Sequence, residues 1–261
     1  MMLSRSLRYE LFKLFSRRTT LVTLMLLALS APLFAFGIVL ILSGQETFAA
    51  GIINSVIQDP SDLVVLTFQS TNLLCGLLGI LVIGSEFNSG AILRTYQNFS
   101  SRVEVLAAKA LSLSALVAVA SAIGSFAALS IFTISEFDSV VIASPVSFVI
   151  WCTVNNVILV LFAYGVALIF SRTISSLIAV FSVFYILPDV LRTLLGFVAP
   201  DFVFVSQLMP AQALGAGIRE SVTGNLCSAY VVSPVTGLFV TLVLTFAFVL
   251  TGCIIQGRKD V

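Results

Sequence analysis

Six long apolar segments constrain the fold of this 261-residue chain more than any other feature. A bilayer with a hydrocarbon core of about 30 Å needs roughly 20 apolar residues in each spanning helix. Segments of that length lie between charged or turn-forming residues, at positions 20–42, 66–84, 105–134, 146–170, 174–198 and 234–255. The mean hydropathy is +1.14 and charged residues make up only 10% of the chain, against about 25% in a typical soluble domain. The sequence therefore predicts an all-α membrane protein with six transmembrane helices.

The basic residues are divided unevenly between the two sides of these six segments. Cytoplasmic loops of membrane proteins carry an excess of Lys and Arg, and this excess sets the orientation. Arg219 lies on one side, and Arg192 lies within the fifth segment. The other eleven of the 13 basic residues fall on the side that holds both termini: Arg5, Arg8, Lys13, Arg17, Arg18, Arg94, Arg102, Lys109, Arg172, Arg258 and Lys259. We therefore predict that both termini are cytoplasmic.

Residues 3–18 precede the first apolar segment and form a separate element. Leucines at positions 3, 7, 11 and 14 share one helical face with Phe15, and basic residues fall elsewhere on the helix. This pattern predicts an amphipathic helix at the membrane interface. Such a helix is either an orientation anchor or a lever in a transporter, and its candidate functional residues are Arg5, Arg8, Glu10 and Lys13.

Several kinds of chemistry are excluded by what the sequence lacks. There is no histidine, which removes the commonest general base and metal ligand. There is no GxxxxGK[ST] motif to hold nucleotide phosphates, and no GxSxG or HExxH motif. The four cysteines form no CxxC pair, and the net charge of +1 gives no reason to expect nucleic acid as a partner. We therefore expect no enzymatic activity, no metal and no cofactor in this chain.

Polar side chains recur within three of the apolar segments. A charge at membrane depth costs several kcal/mol and usually faces a bundle interior or a wet cavity. The candidates are Gln69 and Asn72 in the second segment, Asn155 and Asn156 in the fourth, and Asp189 and Arg192 in the fifth. Asp189 and Arg192 are three residues apart, so they share a helical face and are spaced for an ion pair. Two interpretations stay open: these residues line a substrate path, or they hold the helices together by hydrogen bonds.

The segment at 199–233 is neither long enough for two spanning helices nor very polar. It contains Phe202, Phe204 and Met209, and Pro210 precedes a further apolar stretch. This composition predicts one or two short helices that dip toward the membrane on the outer side, with a plain outer loop as the alternative. Small residues at four-residue spacing, such as Cys75 and Gly79, predict close helix packing elsewhere.

The stretch after the second segment resembles the permease subunits of ABC type-2 exporters. It reads Gly84-Ser85-Glu86-Phe87-Asn88-Ser89-Gly90-Ala91-Ile92-Leu93-Arg94 and continues to Ser101-Arg102 and Lys109. In that family the second helix ends in an acidic residue, a glycine with a small residue and a basic residue, before a Ser-Arg pair and a Lys that opens the third helix. The Tyr-Glu-Leu-Phe-Lys core at 9–13 and the six-segment plan match as well, whereas Ala91 stands where the family often has Thr.

The resemblance implies a cytoplasmic coupling loop at 86–104 that docks on a separate P-loop ATPase. The residues it assigns to ATPase coupling are Glu86, Gly90, Arg94, Arg102 and Lys109. ATP and Mg²⁺ would be bound by that partner, expected in two copies, and not by this chain. A second permease, either another copy or a paralogue, would face the second and fifth helices, which would line the route. Membrane lipids are the remaining expected partner, and a bacterial cytoplasmic membrane is the expected location.

The expected function is export of a hydrophobic or amphipathic substrate, such as a peptide, a drug or a lipid-like molecule. Resistance to antimicrobial peptides is a frequent role among compact permeases of this kind. One alternative is an exporter of a small ion. Another is a membrane receptor or immunity protein that binds a peptide at its outer loops and transports nothing; such a receptor would not need an ATPase-docking surface at 86–104.

Overall fold

The computed structural model describes residues 2–43, 60–97, 102–134, 142–199, 202, 204–223 and 233–258. Within these ranges the structure describes the backbone but not the side chains at 2–6, 41–43, 60–70, 93, 94, 97, 211, 214 and 223. The predicted residues Arg5, Gln69 and Arg94 thus lie on described helices, but their side chains are outside the described part.

The described residues are almost entirely helical, and no strand occurs among them. In chain order the elements are α1 (Met2–Ser16), α2 (Arg18–Ser43), α3 (Pro60–Asn88), α4 (Ala91–Gln97), α5 (Arg102–Ile134), α6 (Pro145–Phe170), α7 (Thr173–Phe181), a π-helical segment (Ser182–Ile186), α8 (Leu187–Val198), α9 (Phe204–Gln207), α10 (Pro210–Thr223) and α11 (Pro234–Arg258).

Six stretches of these helices are long and apolar enough to cross a membrane. They lie in α2, α3, α5, α6, the continuous run from α7 through α8, and α11. The chain is therefore an all-α, multi-pass membrane protein with six candidate spanning helices, as the sequence predicted. The helix ends extend past the apolar segments: α3 begins at Pro60 and continues to Asn88, beyond the 66–84 expected. Backbone hydrogen bonding continues into polar residues, where hydropathy no longer marks the helix.

Helix α6 lies at the centre of the bundle and packs against α3, α5, α7, α10 and α11. Its side chains Phe148, Phe162 and Tyr164 are fully buried. Contact with α3 is close at Gly79, where an added Cβ atom would lie 2.5 Å from the Val160 carbonyl oxygen. The predicted small-residue packing at Gly79 therefore brings α3 against the backbone of α6.

The segment at 199–233 contains two helices, α9 and α10, in its described part. Helix α10 packs against α3, α6 and α11. Gly217 of α10 lies against the indole of Trp151, and the Ser144 N–H donates a 3.0 Å hydrogen bond to the Ser221 carbonyl. The carboxyl end of α10 is thus fixed beside the start of α6, and this part of the segment is packed structure.

The fifth candidate span is interrupted by the π-helical segment. The Leu187 N–H donates to the carbonyl of Ser182, five residues back. Pro188 follows and lacks an N–H group, so a regular α-helical ladder cannot continue through this position. The wider π turn lies just before this missing donor. Prolines and π bulges are both positions at which long helices depart from regular α-helical geometry.

Candidate functional site

Five charged side chains meet where α1 contacts the bundle, and we call this group the charged junction: Glu10, Lys13, Arg17, Glu86 and Lys109. They come from α1, the single residue between α1 and α2, the end of α3 and the first turns of α5. Glu10 and Glu86 are each 1% exposed and Lys109 is 0% exposed. Charges are rarely buried so completely unless they are paired, so the junction is the most unusual chemical feature of the described structure.

Glu86 is the centre of the charged junction because it binds three cations. Its Oε1 atom lies 2.9 Å from Lys13 Nζ and 2.9 Å from Arg17 Nη2. Its Oε2 atom accepts a charge-assisted hydrogen bond from Lys109 Nζ. Arg17 also donates to the Ser85 hydroxyl at 3.2 Å. One carboxylate thereby links α1, α3 and α5.

Glu10 occupies the same junction without comparable partners. Its closest cation is Lys109 Nζ, at 3.7 Å from Oε2, and neither carboxyl oxygen has a hydrogen-bond partner among the described residues. Burial raises the pKa of Glu10 above its ordinary value, and the nearby charge of Lys109 only partly opposes this shift.

The docking of α1 follows from its leucine face. Leu14 is 2% exposed and lies one helical turn from Glu10, whereas Phe12 is 77% exposed on another side. Arg8 is exposed as well. The leucine face thus packs against the bundle, mainly against α5, and carries Glu10 into the junction. Spacing of three and four residues places positions 10, 13 and 17 on one side of a helix. Arg17 was not among the functional residues predicted from the sequence, although this spacing relative to Glu10 and Lys13 could have indicated it.

A second polar contact ties α5, α6 and α11 together at the same end of the bundle. Arg102 donates to the Gln256 carbonyl at 3.4 Å, and the Gln256 side chain donates to the Leu168 carbonyl at 2.6 Å. The Arg102 guanidinium also lies 5.5 Å from the centre of the Tyr96 ring. Burial raises the pKa of Tyr96 to about 12.

The predicted coupling loop contains two helical parts and a tight turn in its described residues. Glu86 belongs to the last turn of α3, and Gly90 follows with a φ of +67°, a left-handed conformation that favours glycine. Helix α4 begins at the next residue. Asn88 and Ser89 are exposed, whereas Glu86 and Lys109 are buried. Glu86 and Lys109 therefore hold this turn in place and do not present a contact surface themselves.

Three of the predicted path residues meet in one buried hydrogen-bond network between α3, α5 and α6. Asn155 donates to the Asn72 side-chain oxygen at 2.9 Å, and Asn156 donates to the Ser121 hydroxyl at 3.1 Å. The Thr71 hydroxyl donates to Asn156 at 3.1 Å. Asn72, Asn155 and Asn156 are only 2–3% exposed. The network therefore links the three helices by side-chain hydrogen bonds within this chain.

Asp189 and Arg192 lie apart from that network, and both side chains are exposed on α8. The expected ion pair between them does not form: neither belongs to any ion pair in the described part of the chain. Their spacing places the two side chains on one helical face, but it does not by itself bring them into contact. The polar side chains that recur within the apolar segments thus belong to two separate features.

An apolar cavity of about 250 Å³ lies between α3 and the α7–π segment. Its lining is Leu73, Gly76, Leu77, Ile80, Leu177, Val180, Phe181, Phe184 and Tyr185. Gly76 allows α3 to approach α7 closely at this point, since an added Cβ atom would lie only 3.1 Å from the Val180 side chain. The cavity adjoins the π-helical segment, and π bulges often occur at functional sites.

No protein-family model and no curated protein sequence matches this chain. Within the described ranges, no three His, Cys, Asp or Glu side chains are grouped closely enough to hold a metal ion. The charged junction, the adjoining turn at Ser89–Gly90 and the apolar cavity are the features of the described structure that bear most directly on function.

Proposed function

We propose that this chain is the transmembrane subunit of an ATP-binding-cassette exporter, powered by a separate P-loop ATPase. The observation that carries the proposal is the charged junction beside an exposed turn. Breaking a buried ion pair by removing one partner is strongly unfavourable, so α1, α3 and α5 are tied as one unit at this end. A force applied to the turn at Ser89–Gly90 would reach the membrane through α3 and would carry α1 with it.

The ATPase contact surface would be formed by the exposed residues of the turn and by α4. Asn88 and Ser89 are exposed there, and Gly90 allows the sharp reversal between α3 and α4. Glu86 and Lys109 act as positioning residues that fix the turn from beneath, and Arg102 ties the start of α5 to α11. ATP and Mg²⁺ would be held by the ATPase, since this sequence lacks a phosphate-binding loop.

The apolar cavity between α3 and α7 is the best candidate surface for a hydrophobic or amphipathic substrate. Its lining is apolar and aromatic, as expected for a site that binds hydrocarbon. The buried amides Asn72, Asn155 and Asn156 instead form hydrogen bonds between helices. We therefore favour the interpretation in which they hold the bundle together over the one in which they line a path. Exposed Asp189 and Arg192 remain candidates for the outer end of the path. A second permease would face α3 and α7.

The orientation follows from charge. The end of the bundle that carries the charged junction also carries Arg18, Arg172 and Arg258, which are exposed. We infer that this end is cytoplasmic, that α1 lies at the inner membrane interface, and that α9 and α10 lie on the outer side. The cell membrane of a bacterium is the proposed location.

Photo-crosslinking in the native host tests the docking surface. A photoreactive amino acid at Ser89 should form an adduct with a P-loop ATPase, identified by mass spectrometry. The matched control is the same amino acid at Thr193, which is exposed on α8 at the far end. An adduct from both positions, or from neither, contradicts the proposal. Peptide binding at the outer loops without any ATPase adduct would favour the receptor alternative.

A further inference from the structure

The carboxyl group of Glu10 is buried at the contact between α1 and the bundle, and no side chain in the described part of the chain donates a hydrogen bond to it. Its side chain is 1% exposed, and both oxygens lack hydrogen-bond partners among the described residues. An ionised carboxylate in such surroundings loses its hydration without replacement, which is strongly unfavourable. A native structure with this arrangement calls for a physical explanation.

The surrounding charges do not explain the burial of Glu10, because the nearby cations pair with Glu86. The groups that face Glu10 are Lys13 on its own helix, Arg17, Glu86 on α3 and Lys109 on α5. All three cations pair with Glu86, two of them at 2.9 Å, whereas Lys109 remains 3.7 Å from Glu10. Glu86 itself adds a negative charge that opposes ionisation of Glu10.

We propose that Glu10 is a proton-binding site, which is occupied when α1 is docked on α3 and α5. A proton makes the group a neutral carboxylic acid, and the burial of Glu10 between α1 and the bundle then needs no counter-ion. When α1 separates from the bundle, water reaches the carboxyl group and the proton dissociates. Docking of α1 is thereby linked to pH, whatever the chain transports.

The sign of the pH dependence follows from the raised pKa of docked Glu10. A carboxyl group with a raised pKa favours the docked state when it is protonated. The docked state is therefore strongest below the pKa of exposed Glu10, and it weakens as pH rises toward and through the raised value. Linkage of one proton limits the effect to about tenfold in the docking equilibrium per pH unit.

Hydrogen–deuterium exchange of the full-length chain in lipid nanodiscs tests this proposal. Exchange of peptides from residues 2–16 is measured between about pH 5 and pH 8 and corrected for the intrinsic rate, so that local opening remains. We expect the protection of α1 to fall as pH rises in the wild type. The Glu10→Gln variant, which is neutral at every pH, should show nearly constant protection.

The control is Glu220→Gln, a half-buried acid on α10, which should keep the wild-type profile. Glu10→Leu is a second neutral variant, in case glutamine cannot be accommodated in the junction. Protection of α1 that is independent of pH in the wild type would overturn the proposal. The same pH dependence in the wild type and in either Glu10 variant would overturn it as well.

Discussion

Replacing Glu86 by alanine should destabilise the folded protein more than any substitution of an exposed charge. The carboxylate is the shared acceptor for Lys13, Arg17 and Lys109. Lys13 and Arg17 are 19% and 26% exposed, so water can solvate them after the change. Lys109 is 0% exposed and would keep its charge without its main partner. Loss of one member of a buried pair costs about 3–5 kcal/mol, and most of that cost falls on Lys109.

A double-mutant cycle separates the ion pair from simple loss of packing. Glu86→Leu leaves Lys109 buried without its main partner, whereas Lys109→Met removes one of the three cations around Glu86, so both single variants should be destabilised and Glu86→Leu the more strongly. The double variant replaces both charges with apolar groups and should recover part of the loss, since such replacements are often close to neutral. The expected coupling between the two positions is therefore at least about 2 kcal/mol. Arg172→Ala, which changes an exposed charge between two candidate spans, should lie within about 0.5 kcal/mol of the wild type.

The assay is reversible unfolding of the purified chain in mixed micelles, followed by helicity as the SDS fraction rises. A loss of about 3–5 kcal/mol should appear as a clear fall in the SDS fraction at the unfolding midpoint. Additive effects of Glu86→Leu and Lys109→Met, with no recovery in the double variant, would refute the reasoning. Retained stability in both single variants would refute it too.

Two further predictions concern packing and orientation. Gly79→Ala should destabilise the bundle by about 1–3 kcal/mol in the same unfolding assay, because the new methyl group meets the Val160 carbonyl at 2.5 Å, whereas Gly37→Ala meets nothing within 4 Å and should be tolerated. A cysteine placed near Asp59, in a variant without its native cysteines, should react with an impermeant thiol reagent in intact cells. Protection there, with labelling near Ser100, would reverse the proposed orientation; both positions lie outside the described residues.

The number of spanning helices could be predicted from the sequence because apolar length is a local property. The segment at 146–170 differs from α6 by one residue at its start and none at its end. Which polar residues meet could not be predicted in the same way. The central helices are apolar on nearly every side, so hydropathy does not indicate how each one is rotated. The contact of Asn72 with Asn155 depends on that rotation.

The charged junction was only partly accessible from the sequence for a related reason. The family resemblance implied a functional role for Glu86 and Lys109. The amphipathic pattern of α1 indicated Glu10 and Lys13 as candidate residues. Nothing local indicated that the leucine face of α1 would pack on the bundle, which brings all four residues together with Arg17. In the fifth span, the three-residue spacing of Asp189 and Arg192 suggested an ion pair, but such spacing only places two side chains on one helical face and does not bring them into contact.

Affinity purification of the tagged full-length chain from its native membrane, with the ATP hydrolysis of the isolated complex, tests the proposed function most directly. We predict that a P-loop ATPase co-purifies and hydrolyses ATP, and that Glu86→Leu reduces its recovery while Glu86→Leu/Lys109→Met restores it in part. Isolation of the chain without any nucleotide-binding subunit, under conditions that preserve its α-helical fold, would contradict the assignment as an exporter subunit.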